Sequence, residues 1–161
     1  MKTLYRQFIV AILVILMCSL IFALFIANLF YTNVTKKDSD EEHVVITQEV
    51  VHVLENMHDG GGFSEYLDSI SKLGYQIAVV SEQDTIQFYG EPFEKTTLSP
   101  DATNVLEKQE IFHGMRQFSS QVFMMSHFTN DINNTVGVPF TLNNEQYALF
   151  LRSNTKLLSS D

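Results

Sequence analysis

TVGVPFTLNNEQYALFLR, residues Thr135–Arg152, decides the fold class. Two runs of strand-forming residues, Thr135–Thr141 and Gln146–Arg152, flank Asn143-Asn144, a pair that tolerates the left-handed backbone of a tight hairpin turn. In the second run, alternation sends Tyr147, Leu149 and Leu151 to one face and Ala148, Phe150 and Arg152 to the other. A second hairpin is expected upstream, with Tyr75–Val80 and Thr85–Tyr89 joined by the turn Ser81–Asp84, and Gln121–Phe128 is a further candidate strand. Between and before the strands the period changes to that of helices. Phe63, Tyr66, Leu67, Ile70 and Leu73 mark a short amphipathic helix that Gly74 can close. Leu98-Ser99-Pro100-Asp101 supplies a capping serine, a first-turn proline and an acid for a helix running to about Lys108. Val44, Thr47, Val50, Val51, Leu54 and Met57 repeat at helical spacing, so a long outer helix ends at Gly60-Gly61-Gly62. The expected class is α+β: an antiparallel sheet with helices on one side, preceded by a long helix.

Further out lies FIVAILVILMCSLIFALFIANLFY, Phe8–Tyr31, 24 residues without an ionisable carboxylate, amine or imidazole. As a helix it reaches about 36 Å, enough to cross a hydrocarbon core with some tilt. A removed secretory signal is the competing reading, but its apolar stretch is shorter, about 7–15 residues, and ends in small residues. Here Asn28-Leu29-Phe30-Tyr31 is bulky. Lys2 and Arg6 favour a cytoplasmic N-terminus. The expected organisation is a cytoplasmic stub at 1–7, a transmembrane helix at 8–31, an extracellular linker and long helix at 32–59, and a sensor-like domain at 60–161. The chain would sit in the cell membrane with the bilayer as a partner and residues 32–161 outside.

Charge divides the same way. The net charge is −9, yet only Lys2 and Arg6 precede the apolar run, leaving eight cations and all 19 acids beyond it, a balance of −11. That excess disfavours nucleic-acid binding. Cys18 is alone, which excludes a disulfide framework. The three glycines are followed by Phe63-Ser64, not the Lys-Ser/Thr of a phosphate loop, and Ser64 lacks the frame of a nucleophile elbow. His43, His52, His58, His113 and His127 contain no i, i+4 pair that would suggest zinc. Asp38, Asp40, Glu41 and Glu42 read as a solvated acidic linker. No catalytic constellation is visible.

Aromatic residues are the remaining signal, with 13 Phe and 6 Tyr in the chain. Most fill a core, and some can line a slot for a flat ligand. Cations are scarce in this region, which makes Arg116 and Arg152 informative. Arg152, next to Phe150 on one strand face, can hold a carboxylate bidentately or pair with one of the many acids.

Six stretches then carry a resemblance: Leu73-Gly74-Tyr75-Gln76-Ile77, Phe88-Tyr89-Gly90-Glu91-Pro92-Phe93, Leu98-Ser99, His113-Gly114, Asn134-Thr135-Val136-Gly137 and Phe150-Leu151-Arg152. In this order and spacing, the chain resembles the N-terminal part of the HssS family of haem sensor histidine kinases of Gram-positive bacteria. The resemblance implies a PAS/Cache-like extracellular sensor region whose full-length protein detects haem and phosphorylates a response regulator controlling haem efflux. It also implies a homodimer. The second membrane helix, HAMP linker, phospho-acceptor histidine and ATP-binding domain of that family are not among these 161 residues. The expected part is therefore an input region, with ATP used only by a kinase domain elsewhere. Haem as the sensed ligand brings two propionates and a flat apolar ring. The resemblance points to Arg152 as propionate anchor, with Arg116 and Lys156 as further cations and Phe128, Tyr147 and Phe150 as walls. His113, His127, Tyr147 and Met124 are the candidate iron ligands. A sensor of membrane damage or of another small molecule, and a tethered interaction module without kinase activity, are the alternatives.

Overall fold

The computed structural model describes residues 2–31, 34, 36–57, 62–117 and 129–154. It separates into two compact units, the first ending at Lys36 and the second starting at Lys37.

The first unit is dominated by α1 (Lys2–Phe30), a continuous helix. Its span Leu4–Phe30 is long and apolar enough to cross a membrane, and none of that stretch is buried against protein. It holds no Gly or Pro, and its large apolar side chains point outward all round, the pattern of a helix solvated by lipid.

The second unit opens with α2 (Lys36–Glu55), of which Lys36 alone falls in the first unit. The buried residues of α2 are Asp40, His43, Thr47, Val50, Val51 and Leu54, one stripe at spacings of three and four. The stripe is apolar in its second half and polar in its first. Asp40 therefore departs from the expected solvated linker: it is a helical residue with no exposed surface.

Next come α3 (Phe63–Lys72), β1 (Tyr75–Ser81), β2 (Ile86–Tyr89), α4 (Pro100–Lys108), β3 (Phe112–His113), α5 (Gly114–Gln117), β4 (Val136–Leu142) and β5 (Glu145–Ser153). Gly74, at φ 100°, stops α3, and its amide N–H donates to the Ser71 carbonyl (3.0 Å). The β4–β5 turn uses Asn143 and Asn144 at φ 52° and 66°, as the hairpin required. The expected strand at Gln121–Phe128 lies outside the described residues. The Ser99 hydroxyl caps α4 by accepting the Ala102 N–H (3.2 Å), with Pro100 in the first turn. Ser99→Ala should cost the unit about 1 kcal/mol, typical for loss of a capping oxygen. Urea unfolding of the full chain checks this, and an unchanged midpoint would remove the cap from the account.

The five strands form one antiparallel sheet in the order β2-β1-β5-β4-β3. Ile77 pairs with Leu151, and Leu151 with Val136; Val79 pairs with Leu149, and Leu149 with Val138. These residues share a face with Val50, Val51 and Leu54 of α2 and Leu67 of α3. The opposite face carries Ala78, Val80, Ala148 and Phe150, packed on Phe93, Phe112, Ile132 and α4 residues Ala102 and Val105. Helices thus cover both faces, where one covered side was expected. The reason is visible in β5, whose residues Ala148–Leu151 are apolar on both parities, as in a strand buried on both faces. Gly137 is part of that packing: a Cβ there would come within 2.7 Å of the Phe150 ring.

Candidate functional site

At one end of the second unit, the start of α2 meets the end of β5 and the short β3–α5 segment. His43 is buried there, and the Ser153 amide N–H donates to its Nε2 (3.1 Å), on which the Ser153 hydroxyl also converges (3.1 Å). A nitrogen that accepts carries no proton, so Nδ1–H is the donor to the Ser39 carbonyl (2.7 Å) and the ring is neutral. Tyr75 packs edge-on against it, ring centroids 6.4 Å apart. The first helix and last strand of the unit are clasped through this imidazole.

One turn earlier, Asp40 directs its carboxylate at β3 and α5. His113 Nδ1–H donates to Asp40 Oδ2 (2.6 Å) and the Arg116 amide to Oδ1 (3.3 Å). The Arg116 guanidinium lies 3.7 Å from Asp40 and 3.3 Å from Glu41. Asp40 is fully buried, whereas the His113 side chain is 34% exposed and that of Arg116 41%. A carboxylate holding one ring nitrogen fixes the orientation of the ring and leaves Nε2 out of that contact. Metal-binding histidines are commonly prepared in this way. Among the described residues, His113 Nε2 has no protein partner. Also among them, no group of three or more His, Cys, Asp or Glu is placed to hold a metal ion by itself. The pair suits a metal that brings most of its own ligands.

The structure divides the residues singled out from sequence. Arg152 is buried, 2% exposed, on the α4 face, where its Nη1 donates to the Thr129 carbonyl. Burial pulls its guanidinium pKa below the ordinary range and the Asp131 charge pushes it back, so it is a structural cation beside the 129–131 segment. Phe150, on the same face, is a core residue in edge contact with Phe112 (6.2 Å). Tyr147 lies on the opposite face, five residues or about 17 Å along β5 from Arg152, beside a separate cavity. Its hydroxyl donates to Glu145 (2.7 Å); that bond, burial and the Glu145 charge raise its pKa, which disfavours a phenolate. The three residues therefore do not form one slot. His113 and Arg116 are brought together instead, with Asp40 and Glu41. Asp40 was missed, though it stands three and seven residues before His43 and Thr47, in register with the α2 stripe. Phe128, His127, Met124 and Lys156 lie outside the described residues.

Two of the stretches that carried the resemblance are in contact with each other. Gln76 Nε2 donates to the Glu91 carbonyl and to Asn130 Oδ1, both at 3.1 Å, and Phe88 and Phe93 are in ring contact (6.1 Å). The model of the HssS heme sensor protein N-terminal domain matches residues 3–159. The chain belongs to this family. Similar to it are the heme sensor protein HssS of Staphylococcus haemolyticus, 30% identical over 153 residues, and that of Staphylococcus epidermidis, 28% identical over 151. The Staphylococcus aureus heme sensor protein HssS is 26% identical over 151 residues. Each match covers 94% of this chain and 33% of the relative, so the chain spans about a third of the length of the curated HssS proteins it matches.

Proposed function

We propose that this chain is the extracellular input region, with its membrane anchor, of a two-component histidine kinase that detects haem. α1 crosses the cell membrane with its N-terminus cytoplasmic, and the second unit is a PAS/Cache-like sensor outside. Family membership and the outward-facing apolar surface of α1 support this reading.

One observation carries the ligand assignment: Asp40 holds Nδ1 of the partly exposed His113, with the Arg116 guanidinium on the same carboxylate. Haem would supply an iron already held by four pyrrole nitrogens, so the single oriented His113 imidazole would suffice as the protein's ligand to it. Arg116 then serves a propionate, exchanging its exposed partner Glu41 for the ligand. In a region of charge −11 a dianion is repelled by most of the surface, which makes that cation the favoured contact. Phe128, His127, Met124 and Lys156 are further candidates for the haem surround. Arg152 orders the 129–131 segment from the opposite face.

Transmission follows from the clasp. Haem favours one of two arrangements of α2 against β5, and the shift passes through a homodimer towards the cytoplasmic kinase, its response regulator and haem efflux. Absorbance titration of the full chain in lipid nanodiscs with haem tests the assignment. His113→Ala should abolish the wild-type Soret shift or weaken binding at least about tenfold, and Arg116→Ala should weaken it severalfold. Arg152→Ala should lower stability and leave the ligand-field spectrum unchanged. A His113→Ala spectrum identical to wild type would overturn the iron-ligand role.

A further inference from the structure

The far end of the sheet carries a cavity that the haem reading does not use. It encloses about 330 Å³ between the β1–β2 turn and the β4–β5 turn, at the lower end of the range for small-molecule sites. Phe63 and Tyr147 form its aromatic walls, and Ser81, Thr85, Gln87 and Asn143 contribute the polar rim. Both walls are fixed by the buried Phe140: Phe63 stacks on it at 6.3 Å and 24°, Tyr147 at 5.4 Å and 25°. The aromatic surface is thus preorganised and loses little freedom on binding.

The rim offers both donors and acceptors. Among the described residues, the Thr85 hydroxyl and the Asn143 amide have no side-chain partner in the protein. Gln87 uses its Oε1 to accept from the Tyr89 hydroxyl (3.2 Å), which leaves its NH₂ group available. Ser81 Oγ accepts the Thr85 N–H (3.3 Å) and keeps its own proton to donate.

Charge is the discriminating property, for none of the lining side chains carries a charge at neutral pH, Tyr147 included, since its pKa is raised. A carboxylate, phosphate, zwitterion or dianionic haem would leave water without a countercharge. A wholly apolar molecule would cover the rim amides without replacing their bonds to water. What remains is an uncharged molecule with a flat C–H face for the rings and hydroxyl or amide groups at its edge. We propose that this cavity binds a neutral pyranose saccharide of monosaccharide size, independently of haem.

N-acetyl-D-glucosamine is a suitable probe, with saturation-transfer NMR on the full chain in lipid nanodiscs as the readout. Saturable binding in the millimolar range is expected, with transfer to the ring protons of the sugar. Tyr147→Ala should weaken it at least about tenfold, as expected for loss of a stacking wall. Gln87→Glu, at an exposed position outside the core, should weaken it severalfold without a loss of thermal stability. N-acetylneuraminic acid, which carries a carboxylate, should not compete. Absence of saturable signal into tens of millimolar would overturn the proposal, as would binding equal to wild type in both variants. A haem titration unchanged by Tyr147→Ala would keep the two sites distinct.

Discussion

Asp40→Asn should leave the second unit folded and weaken haem binding by about 10–100-fold, the usual penalty for losing the outer partner of a metal-binding histidine. Asparagine is nearly isosteric and still offers an oxygen to His113 Nδ1–H or to the Arg116 amide, now held at 2.6 and 3.3 Å from the two carboxylate oxygens. The charge that makes the imidazole a stronger ligand is gone. Asp40→Ala goes further and removes both acceptors. Leaving a buried donor without its acceptor costs about 1–3 kcal/mol, and His113 is one-third exposed and regains water, so about 2 kcal/mol is expected. Urea unfolding of the full chain reads the stability, and the Soret titration reads the affinity. Unaltered haem affinity in Asp40→Asn would separate the carboxylate from the ligand site. If Asp40→Asn and His113→Ala are both neutral for haem, the site itself is elsewhere.

The largest effect on stability is expected at Gly114, which joins β3 to α5. A Cβ there would overlap the carbonyl oxygens of Asn133 and Thr135 and the Phe112 ring, all closer than Cβ atoms ever approach such groups. Two of these obstacles are backbone, and their segment is tied down. The Thr135 hydroxyl donates to the Ile132 carbonyl (2.6 Å), the Asn133 N–H to Asp131 (2.8 Å), and the Ser99 N–H to the Asn133 side chain (2.7 Å). Phe112 is buried in edge contact with Phe150. Gly114→Ala should therefore sit at the upper end of overpacking costs, about 3 kcal/mol, lowering the unfolding midpoint by roughly 10 °C. Gly62→Ala is the control, because its nearest neighbour would be Met57 Sδ at an ordinary 3.9 Å. Amide exchange of β4 and β5 in the full chain follows the melting of this unit apart from α1. Equal midpoints for the two variants would contradict the steric account.

Much of the architecture was legible in the chain because it rests on local chemistry. Asn143-Asn144 marks a hairpin by backbone preference, Ser99-Pro100 starts a helix by capping, and Gly74 ends one by its positive φ. What escaped depends on partners distant in sequence. A continuous apolar run such as Ala148–Leu151 does not say which face a helix covers, so cover on both faces was not foreseen. The two-residue strand β3 is too short to carry a period, and pairing with β4 alone makes it a strand. The acids at Asp38–Glu42 looked alike as composition, although Asp40 alone shares the inward stripe and meets His113, 73 residues away. Alternation had already put Tyr147 and Arg152 on opposite faces of β5. Grouping them as one slot required the chain to defeat its own pleat.

The imidazole that links Ser39 to Ser153 also acts as a ruler. It joins the incoming helix to the outgoing strand at a separation set by hydrogen bonds about 3 Å long. Entry and exit side by side are what allow a domain to be spliced into another chain. Grafted between two other neighbouring helices, residues 37–154 would bring this spacing with them. The gauge between entering and leaving chain belongs to the domain itself.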